Sequence, residues 1–160
     1  MKKNQIIGLW AFTLLIVHLI TAKNYEFHRD ELLYMALGKH LDWGFASVPP
    51  FIGFLAKISF FFLGNDQLGV KLMAALGGSA TVVCIGSIAS LLGGNRLTVF
   101  VSCAAFALSP SYLWSTSLFQ PVIFDIFFWT LSAYFFIKLV KKQDPSAARP
   151  PRPGRCRRAG

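Results

Sequence analysis

The acids of this chain are few and gathered. Of seven Asp and Glu in 160 residues, four fall between residues 26 and 42: Glu26, Asp30, Glu31 and Asp42. The adjacent pair Asp30-Glu31, preceded by His28 and Arg29, is the segment best suited to chemistry. A carboxylate takes the proton of an attacking hydroxyl, and an arginine beside it suits an anion. Positioned base catalysis is typically worth ~10²–10⁴-fold. Neighbouring residues on a helix point about 100° apart, so the two acids do not form a matched pair. One faces a cavity and the other supports the loop. The residues alone leave Asp30 open between a base and an ordinary N-cap, because aspartate is a favoured cap. Arg29 is open between facing an anionic substrate and anchoring at an interface. Asp125 lies about one turn into an apolar stretch, where an ionisable side chain is costly and usually faces the bundle interior or a water-filled cavity. It is open between a cavity wall on the side of Asp30 and an ion pair with Lys23, Arg29 or Lys71. His28 and His40 find no third ligand at sensible spacing, and Cys84, Cys103 and Cys156 form no zinc pattern. No metal or cofactor is expected.

The elements that must position these residues are membrane helices. More than half of the residues are apolar, and they fall in long blocks; a bilayer core needs ~20 in a row. Met1-Lys2-Lys3 followed by Ile6–Ala22 has the outline of a signal peptide, but Lys23-Asn24-Tyr25-Glu26 is no cleavage site. It is read as a retained first span. Asp30–Trp43 predicts a helix with Leu33, Leu37 and Leu41 on one face, capped by Asp30, ended by Gly44 and lying on the membrane surface. Pro49-Pro50 opens a second surface helix, Phe51–Leu63, too short to span. Phe51, Phe54, Leu55, Ile58 and Phe62 share its apolar face, with Gly53 and Lys57 opposite. Three more spans follow, about Gly69–Leu92, Leu97–Trp114 and Val122–Val140. The prediction is an all-α integral membrane protein with four transmembrane helices and two interfacial helices in the first external loop. That arrangement gathers Lys2, Lys3, Arg96, Lys138, Lys141 and Lys142 on the cytoplasmic side, as the positive-inside rule favours. Both termini are then cytoplasmic, in the cell (inner) membrane, and the acids of residues 23–68 lie outside.

Read in order, Arg29-Asp30-Glu31-Leu32-Leu33-Tyr34-Met35-Ala36-Leu37-Gly38-Lys39-His40-Leu41-Asp42-Trp43-Gly44 and then Pro49-Pro50 resembles the first external loop of family 39 glycosyltransferases. These are relatives of the protein O-mannosyltransferases and lipid A aminoarabinose transferases. Gln120, Phe124-Asp125 and Phe128-Trp129 resemble that family's fourth-span region. The resemblance runs from about residue 6 to 142 and implies the N-terminal part of a GT-C bundle. It further implies transfer of a sugar from a polyprenyl-phosphate donor to an acceptor (protein, lipid or glycan) with inversion. Asp30 is the implied base, with Glu31, Arg29 and Asp125 binding or supporting. A polyprenyl phosphate is already a good leaving group, so a base rather than an acid is required. One departure stands out: many relatives carry His-Pro-Pro where this chain has Val48-Pro49-Pro50.

Composition changes abruptly at Pro145. Residues 1–144 hold eleven Lys or Arg against seven acids, whereas the last sixteen hold five arginines and no acid. Such a segment cannot bury a core, and it lacks the aromatic interleaving of a nucleic-acid binder. The division expected is a membrane domain over 1–144 and a disordered basic tail over 145–160. The tail is read as a frameshift product, because its arginine, proline, glycine and alanine share GC-rich codons. Relatives run much longer, so this chain is expected to be inactive alone. The competing class is a non-catalytic membrane remnant or small helix-packing scaffold. A transporter is disfavoured, because the polar residues gather at one surface rather than at the bilayer midplane.

Overall fold

In the computed structural model, residues 2–24, 26–45, 48–64 and 67–143 are described, apart from the side chains of Lys23 and Gln67. The expectation for the 145–160 tail lies outside them. Seven α-helices are present among the described residues. They are α1 (Lys3–Thr21), α2 (Arg29–Lys39), α3 (Pro50–Leu63), α4 (Gln67–Leu91), α5 (Arg96–Ala107), α6 (Pro110–Ser117) and α7 (Pro121–Gln143). A short 3-10 turn, Ala22–Asn24, follows α1. Three helices, α1, α4 and α7, are long and apolar enough to cross a membrane.

The stretch predicted as one span over Leu97–Trp114 is two helices, α5 and α6, bent by 61°. The cause is local. Pro110 occupies the first turn of α6, and a proline pushes the residue before it out of the α region. Ser109 is accordingly extended at φ −67°, ψ 125°. If the bent pair is one span, the described chain crosses up to four times.

Helix α4 is the centre, packing against α1, α3, α5, α6 and α7. Lipid tails supply no hydrophobic drive between helices, so close approach over small residues takes its place. A Cβ on Gly78 would fall 2.5 Å from Thr116 Cγ2 of α6. One on Gly86 would fall 2.6 Å from Ile7 Cγ1 of α1 and 2.9 Å from Cys103 Sγ of α5. Outward, Phe12, Ile20, Trp129 and Phe136 are exposed, as suits side chains that meet lipid.

Helix α2 differs from expectation at both ends. Its N-cap is His28, whose Nδ1 accepts the Asp30 N–H at 3.3 Å, so Asp30 stands inside the first turn and is not the cap. It ends at Lys39 rather than Trp43. The Asp42 carboxylate accepts the Trp43 N–H at 2.7 Å, a local bond of the kind that competes with helix. Its buried face is Glu31, Tyr34, Met35 and Gly38, while Leu33 and Leu41 of the leucine row are exposed. Smallness decides this face. A Cβ on Gly38 would lie 2.6 Å from Ala56 Cβ, so α2 and α3 meet almost backbone to backbone. On α3 the buried residues are Ile52, Gly53, Ala56 and Ser59, leaving Phe54, Phe61 and Phe62 outward.

Candidate active site

The acids meet the rest of the bundle at one end, where α1 finishes, α2 and α4 begin, and α6 passes to α7. Glu31 is fully buried at 0% exposure. Its Oε2 accepts the His28 N–H at 2.9 Å, closing the first turn of its own helix. Its Oε1 accepts the Phe119 N–H at 2.7 Å, from the α6–α7 connection 88 residues away. Both oxygens are occupied by backbone donors, which makes this carboxyl a clamp. Phe119 is itself fully buried and packs edge-on against Phe124 at 6.1 Å.

Asp30 points the other way. Its side chain is 37% exposed. Gln120 Nε2 donates to Asp30 Oδ2 at 3.3 Å, and His28 Nδ1 lies 3.6 Å from the same oxygen. Arg29 Nε is 3.8 Å from Oδ1, with its side chain 93% exposed. The structure therefore brings Arg29, Asp30 and Glu31 together with Phe119 and Gln120. Asp125 is exposed on α7 and makes no ion pair with a described side chain; Lys23 is outside that statement. Tyr34, one turn along α2 and buried, has its phenol pushed up, first by burial and then by the Asp30 charge.

Two more groups stand at this end: Lys71, weighed above as a partner for Asp125, and His18, which was not foreseen. Lys71 is buried in the first turns of α4; its Nζ donates to the Ala22 carbonyl at 3.2 Å, within electrostatic reach of Glu31. His18 of α1 is buried, its Nε2 2.7 Å from Thr116 Oγ1 of α6. The Thr116 hydroxyl has carbonyl acceptors in its own helix, Tyr112 O at 2.8 Å and Leu113 O at 3.1 Å, so the imidazole serves as the donor to it. Both were visible as ionisable residues inside apolar helices, the signal that singled out Asp125. Between α1, α4 and α6 they border a cleft of about 440 Å³, whose walls include Val17, Phe27, Leu113 and Trp114.

Apolar helices long enough to span define a multi-pass membrane protein, with a cluster of carboxylates at one end of its bundle. Over residues 47–148 the chain matches the family described as dolichyl-phosphate-mannose-protein mannosyltransferase. The chain belongs to that family, which places it among membrane glycosyltransferases of the GT-C type. The match begins beyond Arg29, Asp30 and Glu31, so those residues rest on their geometry and on the loop resemblance. No curated protein and no solved structure matches the chain.

Proposed function

We propose that the chain belongs to an enzyme that transfers a sugar from a polyprenyl-phosphate donor to a hydroxyl acceptor at the extracytoplasmic face of the cell membrane, and supplies Asp30 as its base. The observation that carries this reading is the division of labour between adjacent acids. Glu31 is sealed by two backbone donors, whereas Asp30 keeps an accessible carboxylate beside an exposed arginine. The acceptor hydroxyl gives its proton to Asp30 as its oxygen bonds to the anomeric carbon. The bond from that carbon to the phosphate oxygen breaks, and the electron pair leaves with the polyprenyl phosphate. Attack opposite the leaving group inverts the anomeric configuration. Arg29 is the residue available to the phosphate, and Asp125 is carried over from the family resemblance as a supporting residue.

In the membrane, α1, α4, the bent α5–α6 pair and α7 are the four spans of this reading, and α2 and α3 lie in the interface. Exposed Trp43, Phe54, Phe61 and Phe62 suit the aromatic belt at a membrane surface. Lys2, Lys3, Arg96, Lys141 and Lys142 all belong to the end opposite Asp30, which makes that end cytoplasmic by the positive-inside rule.

The test is Asp30→Asn, assayed in membranes for transfer of radiolabelled sugar from a polyprenyl-phosphate donor. Asn keeps an acceptor for Gln120 and does not disturb the cap, which is His28. Turnover should fall at least ~10²-fold at unchanged expression. Near-normal turnover in the variant removes Asp30 from the chemistry and leaves the non-catalytic reading of this end.

A further inference from the structure

We propose that Gln120 is a positioning residue for Asp30, and that the α6–α7 connection is the part of the fold that fixes the reacting carboxylate. This rests on the reading of Asp30 as base. The α2 N-terminus is docked on that connection by two parallel contacts from adjacent residues. Glu31 Oε1 takes the Phe119 N–H at 2.7 Å, and Asp30 Oδ2 takes the Gln120 Nε2–H at 3.3 Å. The connection is rigid where it matters. Phe119 is fully buried and Leu118 nearly so, and Pro121 opens α7 directly after Gln120. A residue before proline is confined to extended backbone, so the Gln120 amide is presented at little entropic cost.

The contact distinguishes the two oxygens of Asp30. His28 Nδ1 is 3.6 Å from Oδ2, but its lone pair accepts the Asp30 N–H, leaving it no proton for that oxygen. Gln120 is therefore the side-chain donor to Oδ2 among the described residues. Among the described residues Oδ1 meets only Arg29 Nε at 3.8 Å, beyond hydrogen-bond range. With Oδ2 held, Oδ1 is the atom left to take the acceptor proton. Gln120 does not enter the proton transfer; it sets the angle from which Asp30 works.

The experiment uses the full chain in membranes with Gln120→Leu, of similar length without a donor, and Gln120→Asn, which keeps the amide but draws it back. A hydrogen bond to a charged group corresponds to about tenfold to hundredfold, and misplacement of a reacting group costs a similar factor. Gln120→Leu should lower kcat by about that amount with the donor KM unchanged, and Gln120→Asn should fall between it and the unaltered chain. Combined with Asp30→Asn, Gln120→Leu should cost nothing further, since its effect passes through Asp30; a generally structural residue would add its own loss. Independently of activity, the side-chain amide resonance of Gln120 in 15N-glutamine-labelled chain should shift on Asp30→Ala. An unmoved resonance, additive losses, or a full kcat in Gln120→Leu overturns the positioning role and leaves Asp30 as base. Normal turnover in Asp30→Asn overturns the functional reading and this inference with it.

Discussion

Replacing Glu31 by alanine should unfold this end of the bundle, and the cost can be worked from the contacts. The carboxyl group is completely buried and receives two backbone N–H groups, His28 at 2.9 Å and Phe119 at 2.7 Å. Alanine leaves both donors without their acceptor. The Phe119 N–H is buried, and a buried donor so orphaned costs about 1–3 kcal/mol; the part-buried His28 N–H loses an ordinary bond of about 0.5–1.5 kcal/mol, so the pair comes to about 1.5–4.5 kcal/mol. The hole left by the missing side-chain atoms adds to this. Glutamine fills the same volume and can accept one of the two N–H groups, but it turns an NH2 towards the other. Its loss should be near 1–3 kcal/mol, that of a single unmade bond. For a chain of this size 1 kcal/mol corresponds to roughly 3 °C in Tm. Thermal melting in lipid nanodiscs, followed by monodispersity on size exclusion, should therefore show Glu31→Ala down by about 5–14 °C. Glu31→Gln should fall between it and the unaltered chain. The reasoning fails if alanine melts within about 2 °C of the unaltered chain, for then neither N–H depends on Glu31. It fails equally if glutamine is the worse of the two.

Two further outcomes follow from other parts of the molecule. Tyr34 has its phenol raised above the ordinary tyrosine value of 10.0 by burial and then by Asp30. The folded state thus holds that proton more tightly than the unfolded chain, so its contribution is complete below pH 10 and is lost as pH rises from there through the folded value. Melting temperature should decline in that alkaline window, and the decline should be shallower in Tyr34→Phe. For topology, a cysteine at Ser115 should react with an impermeant maleimide on intact cells, whereas one at Asn95 should react only after permeabilisation; labelling of Asn95 in intact cells would refute the arrangement.

The long apolar runs were legible because length alone decides them. Ile6–Ala22, Gly69–Leu92 and Val122–Val140 correspond to α1, α4 and α7 within a few residues. The bend within the third expected span was missed because hydropathy averages over Leu108-Ser109-Pro110, where the break lies. Pro110 was the visible signal, since proline opens a helix far more comfortably than it continues one. The packing face of α2 was not legible for a different reason. A leucine row marks what is apolar, but in lipid the close contacts go to whatever is small, here Gly38 on Ala56. At the site, the sequence could say that Asp30 and Glu31 point in different directions. It could not say which of them meets Phe119 and Gln120, because those contacts join residues 88 and 90 positions apart.

The distribution of polar contacts explains why the site is built at an end of the bundle. A helix leaves its last four carbonyls without partners, and in lipid no water relieves them. Two of the long helices here solve this with a lysine from a neighbour. Lys71 of α4 donates to the Ala22 carbonyl beyond α1, and Lys141 of α7 donates to the Leu91 carbonyl that ends α4. Each cation also sits against the negative pole of a helix dipole. The middle of the bundle needs none of this, and there Gly86, Ile7 and Cys103 pack without charge. The Lys71 contact has a second consequence. It fixes the end of α1 against α4 only six residues before His28 caps α2. Glu31 then fixes α2 against the α6–α7 connection. Asp30 is thereby located from both sides while its own carboxylate stays accessible, so the ties that cap helix ends in lipid also hold the reacting group in place.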